Sequence, residues 1–186
     1  MSKTAVIIHG SLGHPQENWF PWLKTELERL EYEVHVPAFP TPTGQSYIAW
    51  LDIFKQLLPI INEKTILIGH STGCVFILNA LNDLEIDVKA VFMAVPFIEK
   101  GNHEYMDSLN ESFVEKDRDR LKIKSRSPHF TVYYSDNDPF IAPAICQHAA
   151  EFVDADCKLI QGAGHFNQAA GYTTFPILLN DIKNLD

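Results

Sequence analysis

The feature that most narrows the possible folds is a rhythm of short apolar runs separated by amphipathic stretches. Residues 4–9, 33–36, 65–68, 88–95, 131–134 and 158–160 read as strands, each bounded by polar, Gly or Pro residues. Between them, residues 20–30, 47–58, 73–84, 142–152 and 175–182 carry apolar residues at helical spacing. Pro21 stands where a first helical turn tolerates it, and Ser46 is a candidate N-cap. Pro37, Pro40, Pro42 and Gly44 make an irregular loop. The strands are apolar runs rather than alternating ones, which calls for cover on both faces. Alternation of strand and helix then predicts an α/β domain of three layers, with a mainly parallel sheet of about six strands. One segment breaks the rhythm: residues 97–128 are polar and charged and read as a short cap-like insertion above the sheet. Its run of mixed acids and bases from Glu115 to Arg120 is expected to be a solvated face. No repeat or linker divides residues 1–186, so one domain is expected.

Composition excludes several classes of function. A net charge of -9 and a pI near 5.3 disfavour a broad nucleic-acid face or attraction to an anionic membrane. Cys74, Cys146 and Cys157 give an odd count without paired spacing, so neither a disulfide framework nor a zinc site is expected. The apolar run of residues 5–8 is too short for a signal-peptide core, and no stretch approaches a membrane span. A cytoplasmic location is the expectation. On the same ground the sequon Asn110-Glu111-Ser112 is read as chance.

The chemistry is carried by three short motifs. Gly69-His70-Ser71-Thr72-Gly73 lies between a strand and a helix. A serine at such a turn is held with its hydroxyl exposed, and the glycines leave room for the neighbouring strand and helix. A serine hydroxyl needs an imidazole to take its proton. Of eight histidines, His165 is the candidate, in the glycine-rich loop Gly162-Ala163-Gly164-His165 after the last strand. The orienting acid is expected at the end of another strand, in Ser135-Asp136-Asn137-Asp138-Pro139, with Asp138 preferred over Asp136. The chain order Ser71, Asp138, His165 is that of α/β-hydrolases. Two N–H donors must meet the oxyanion. Thr72 is expected to supply one from its backbone, and the loop after the first strand the other, from Ser11 first and Leu12 second.

These pieces, with Val6-Ile7-Ile8-His9-Gly10 and Asn18-Trp19-Phe20-Pro21-Trp22-Leu23, resemble the small serine hydrolases of the α/β-hydrolase superfamily, the group that contains retinoblastoma-binding protein 9 and the bacterial YdeN-like esterases. The resemblance spans nearly the whole chain. It implies a trimmed hydrolase sheet, a triad of Ser71, Asp138 and His165, and carboxylesterase-like activity. No cofactor is expected, and a metal-dependent mechanism is disfavoured because the sequence holds no His-Glu-x-x-His motif or paired cysteine ligands. It suggests a protein partner too, but the sequence holds no L-x-C-x-E segment to support one. Trp19, Phe140 and Phe166 flank the expected catalytic loops and are candidates for an apolar substrate pocket. The short chain leaves no room for a large lid, so small soluble esters are the expected substrates. An interaction module on the same fold, or an amidase, thioesterase or acyltransferase with the same three groups, is the alternative.

Overall fold

The structure is a computed structural model, and it describes residues 2–101 and 103–185. Six strands form one sheet: β1 (Lys3–Ile8), β2 (Tyr32–His35), β3 (Ile66–His70), β4 (Ala90–Ala94), β5 (Phe130–Tyr134) and β6 (Asp156–Leu159). Every neighbouring pair is parallel, in the order β2-β1-β3-β4-β5-β6. The helices are α1 (Phe20–Arg29), α2 (Tyr47–Phe54), α3 (Thr72–Asp83), α4 (Glu104–Val114), α5 (Arg120–Ser125), α6 (Pro143–Val153) and α7 (Pro176–Lys183).

Right-handed crossovers decide which face each helix covers. The chain steps from β1 outward to β2 and then back across β1 to β3, so α1 lies on one face and α2 and α3 on the other. Accordingly α1 packs with α7, while α3 packs with α2, α4 and α5, and α6 with α5. The central strands β3 and β4 are buried at every position, as runs covered on both faces should be. The edge strands differ: β2 buries only Val34, and β6 has no fully buried residue. Helix α3 is buried from Thr72 to Leu81, which explains why it is apolar around its whole circumference.

Two expectations need correction. The helix expected over 47–58 ends at Phe54 and continues as a 3-10 turn, Lys55–Ile60. Pro59 lacks an N–H and disfavours α geometry before it, so the tighter turn wins. The charged run in the insertion is not wholly a solvated face. Arg118 turns inward, where Nε donates to Asn79 Oδ1 on α3 at 2.7 Å and the guanidinium also bonds the Phe113 and Val114 carbonyls at the end of α4. A cation at a helix C-terminus satisfies carbonyls that lack helical partners. With Asn79 Nδ2 donating to the Phe113 carbonyl at 2.9 Å, Arg118 helps to pin the insertion to the core helix. Among the described residues no helix is long and apolar enough to cross a membrane.

Candidate active site

The order of strands reverses direction between β1 and β3, and the loops that follow these two strands diverge to opposite faces. A crevice at the carboxyl ends of the strands follows from that topology. Ser71 stands at its floor, directly after β3, with φ 52° and ψ −118°. The crowding there makes the two flanking glycines necessary. A Cβ on Gly73 would lie 2.3 Å from the Ile8 carbonyl oxygen, and one on Gly69 would lie 2.8 Å from the Cys74 nitrogen. Backbone conformations that L-residues avoid collect at this rim. Leu12, Asn18, Ser71, Val95 and Phe166 all have φ between 50° and 62°. Among the described residues the other two non-glycine cases, Glu31 and Asp154, follow α1 and α6 at the opposite rim. Strain of this kind persists only where surrounding contacts hold it, and it gathers at functional sites.

The loop after β5 grips the loop after β6 through three consecutive side chains. Asp136 Oδ1 accepts from the Gly162 N–H, Asn137 Oδ1 accepts from the Gly164 N–H, and Asp138 Oδ2 meets His165 Nδ1 at 2.7 Å. Asp138 Oδ1 accepts from the N–H groups of Phe140 and Ile141 at 2.8 and 3.0 Å, and the side chain is wholly buried. A carboxylate that accepts everywhere else requires the hydrogen on His165 Nδ1. The neutral imidazole then carries its lone pair on Nε2. Ser71 and His165 line the same cavity, and no hydrogen bond joins the two side chains. Such contacts are often loose before substrate binds.

Beneath the pair, His70 Nε2 lies 2.8 Å from the His165 carbonyl oxygen, which can only accept, so Nε2 carries hydrogen. Its Nδ1 is buried without a partner. Burial, and secondarily the His165 ring, push the His70 imidazole down to about 3. It is neutral at any working pH. Burial also lowers the imidazole of His9, at the end of β1. It accepts from the Phe39 N–H at Nε2, and its Nδ1 lies 2.8 Å from the Gly10 carbonyl oxygen.

The cavity above Ser71 has a volume of about 420 Å³. Phe140, Ile141, Phe97, Met106 and Leu12 supply its apolar wall. Glu17 stands on the polar side, its carboxyl raised by burial. Of the three aromatic residues expected in the pocket, Phe140 lines it. Trp19 and Phe166 do not: both are fully buried in the core, where Trp19 Nε1 donates to the Phe166 carbonyl at 3.0 Å. The left-handed backbone at Asn18 and Phe166 goes with this inward turn. Phe97, Met106 and Ile141 are wall residues that sequence reasoning did not assign. Of the expected oxyanion donors, Thr72 opens α3, and its N–H has no acceptor within the helix. The Leu12 N–H is engaged by Thr41 Oγ1 at 2.7 Å, which argues against this second choice. The Ser11 N–H points at Thr72 Oγ1 over 3.3 Å.

The family model described as serine hydrolase matches residues 5–184. YdeN of Bacillus subtilis strain 168 is 28% identical over 180 residues, covering 96% of this chain and 93% of YdeN. The serine hydrolase RBBP9 of Rattus norvegicus is 24% identical over 184 residues, covering 97% and 94%. The crystal structure of the B. subtilis ydeN gene product matches with a TM-score of 0.92 at 26% identity, over 99% of this chain and 98% of that one. A structure from a study of carboxylesterases of the thaumarchaeon Nitrososphaera gargenis shares the fold at 12% identity, with a TM-score of 0.75 and coverage of 99% and 91%.

Proposed function

The chain belongs to the serine hydrolase family, and on that premise we propose that it cleaves small carboxylic esters through an acyl-enzyme on Ser71. The observation that carries the reading is the pairing of a strained, cavity-facing Ser71 with a His165 imidazole held by buried Asp138. In this mechanism Ser71 Oγ attacks the ester carbonyl carbon while His165 Nε2 takes the hydroxyl proton. Asp138 keeps the imidazole in the Nδ1–H form and stabilises the imidazolium that results. The carbonyl oxygen becomes an oxyanion and receives the Thr72 N–H at the positive end of α3. Collapse expels the alcohol, which takes the proton back from His165. Water then attacks the acyl-enzyme, with His165 again as base, and releases the acid and free Ser71.

A cavity of about 420 Å³ accommodates a small acyl ester. The test is labelling with a fluorophosphonate probe together with a p-nitrophenyl ester series. Wild-type protein should label and turn over short esters, and Ser71→Ala should do neither. Unlabelled wild-type protein would refute the reading. Preference for long emulsified chains would refute the substrate class.

A further inference from the structure

A closed polar network beside Ser71 joins four parts of the chain. Leu12 N–H donates to Thr41 Oγ1 at 2.7 Å, and Thr41 Oγ1 donates to Gln45 Oε1 at 2.5 Å. Gln45 Nε2 shares its two hydrogens among the Leu109 carbonyl at 3.1 Å, Ser11 Oγ at 2.7 Å and Asn110 Oδ1 at 3.0 Å. Asn110 Oδ1 also receives Ser11 Oγ at 2.7 Å and Thr72 Oγ1 at 2.9 Å.

The direction of each bond follows from the groups that have no choice. The Leu109 carbonyl can only accept, so the Gln45 atom facing it is the amide nitrogen. The Asn110 atom facing that nitrogen must then be its oxygen. This fixes the Asn110 amide and turns Nδ2 the other way. Asn110 Nδ2 donates to no described residue, and it is not among the atoms sealed from solvent without a partner. Asn110 itself lines the cavity and is 4% exposed. Its N–H groups are therefore unpaired and in contact with solvent, on a side chain that lines the cavity and whose oxygen touches the side chain of Thr72. The backbone candidates beside it are partly spent, since Leu12 N–H and Ser11 N–H both point at threonine hydroxyls.

We infer that the side-chain amide of Asn110, carried on the insertion helix α4, is the second donor to the oxyanion, alongside the Thr72 N–H. The inference rests on the ester hydrolase reading above. It gives the insertion a chemical task. The same clamp that holds Asn110 Oδ1 aims Nδ2, so the donor is set before substrate arrives. A pre-aimed donor is what makes an oxyanion site effective.

The experiment compares wild type, Asn110→Asp and Asn110→Ala, each checked for folding by near-UV circular dichroism. Asp keeps the oxygen that the clamp needs and removes the donor; Ala removes both without adding charge. With p-nitrophenyl acetate, kcat should fall about 10²–10³-fold in both variants, as for loss of one oxyanion donor, with KM changing less than about threefold. Folded variants with wild-type kcat would overturn the inference, as would a loss confined to KM or to the Asp variant. Wild-type protein that neither labels nor turns over would refute the hydrolase reading and the inference together. A second measurement needs no variant. When a phosphonate is attached to Ser71, the Asn110 side-chain amide protons should move downfield in a nitrogen–proton NMR spectrum. Unmoved resonances would overturn the assignment.

Discussion

Acid should destabilise this protein through His70, by an amount that can be worked out. His70 is held neutral by burial, with the His165 ring adding to the effect, and its folded value is about 3. An unfolded histidine titrates near 6.5. The folded value is the lower one, so the unfolded chain binds the extra proton. Stability is therefore fully present above about pH 6.5 and is lost as pH falls toward 3. At pH 5 the unfolded imidazole is about 97% protonated and the folded one about 1%, a penalty of about 2 kcal/mol relative to pH 8. His9 acts in the same direction, so the total slope is not diagnostic. His70→Gln isolates the term, because its amide nitrogen can still donate to the His165 carbonyl while carrying no titration. Urea unfolding followed by tryptophan fluorescence at pH 8, 6 and 5 gives the stability of each protein. The variant should be less stable at pH 8, and the gap should close by about 2 kcal/mol at pH 5. A gap that stays constant across that range would show that His70 is not held neutral.

Four further outcomes follow from the geometry. Asp138→Asn should fold and lose about 10⁴ in kcat, because an amide N–H facing His165 Nδ1 forces the hydrogen onto Nε2; kinetics on p-nitrophenyl acetate check this. Gly73→Ala puts a methyl group 2.3 Å from the Ile8 carbonyl oxygen, and should lower the melting temperature by about 10 °C through a loss of about 3 kcal/mol. Trp19→Phe leaves the buried Phe166 carbonyl without its donor and should cost about 1–3 kcal/mol in urea without changing acyl-length preference. Phe140→Ala should shift that preference with little loss of stability, since Phe140 is a cavity wall residue 42% exposed.

What the sequence makes legible is what is encoded locally. Ser71, Asp138 and His165 each stand just beyond the carboxyl end of a strand, in a run whose glycines, proline or carboxylates have no other good use there. Parallel strands bring those ends to one rim, so short motifs suffice to bring the three residues together. Trp19 and Phe166 show where this reasoning stops. The turn of each into the core goes with a positive φ at Asn18 and at Phe166, residues that carry no glycine to announce it. Asn110 was legible only as a chance sequon. Its place beside Thr72, 38 residues away, depends on how α4 docks. That docking relies on Arg118 turning inward from a run of charges that reads as surface.

The two edges of the sheet bear on how this molecule behaves in a crowd of its own copies. A parallel sheet left open at both sides offers two rows of unpaired backbone groups to any extended chain, including another copy. Here both edge strands are only four residues long. They are also studded with ionisable groups, Glu33 and His35 on β2, Asp156 and Lys158 on β6. A second molecule that tried to extend the sheet would have to strip water from those groups for at most a few hydrogen bonds. The apolar strands that build the crevice are kept at the centre, where no neighbour can reach them. Concentrated solutions are thus guarded at the margins of the sheet, by residues that take no part in the chemistry at its rim.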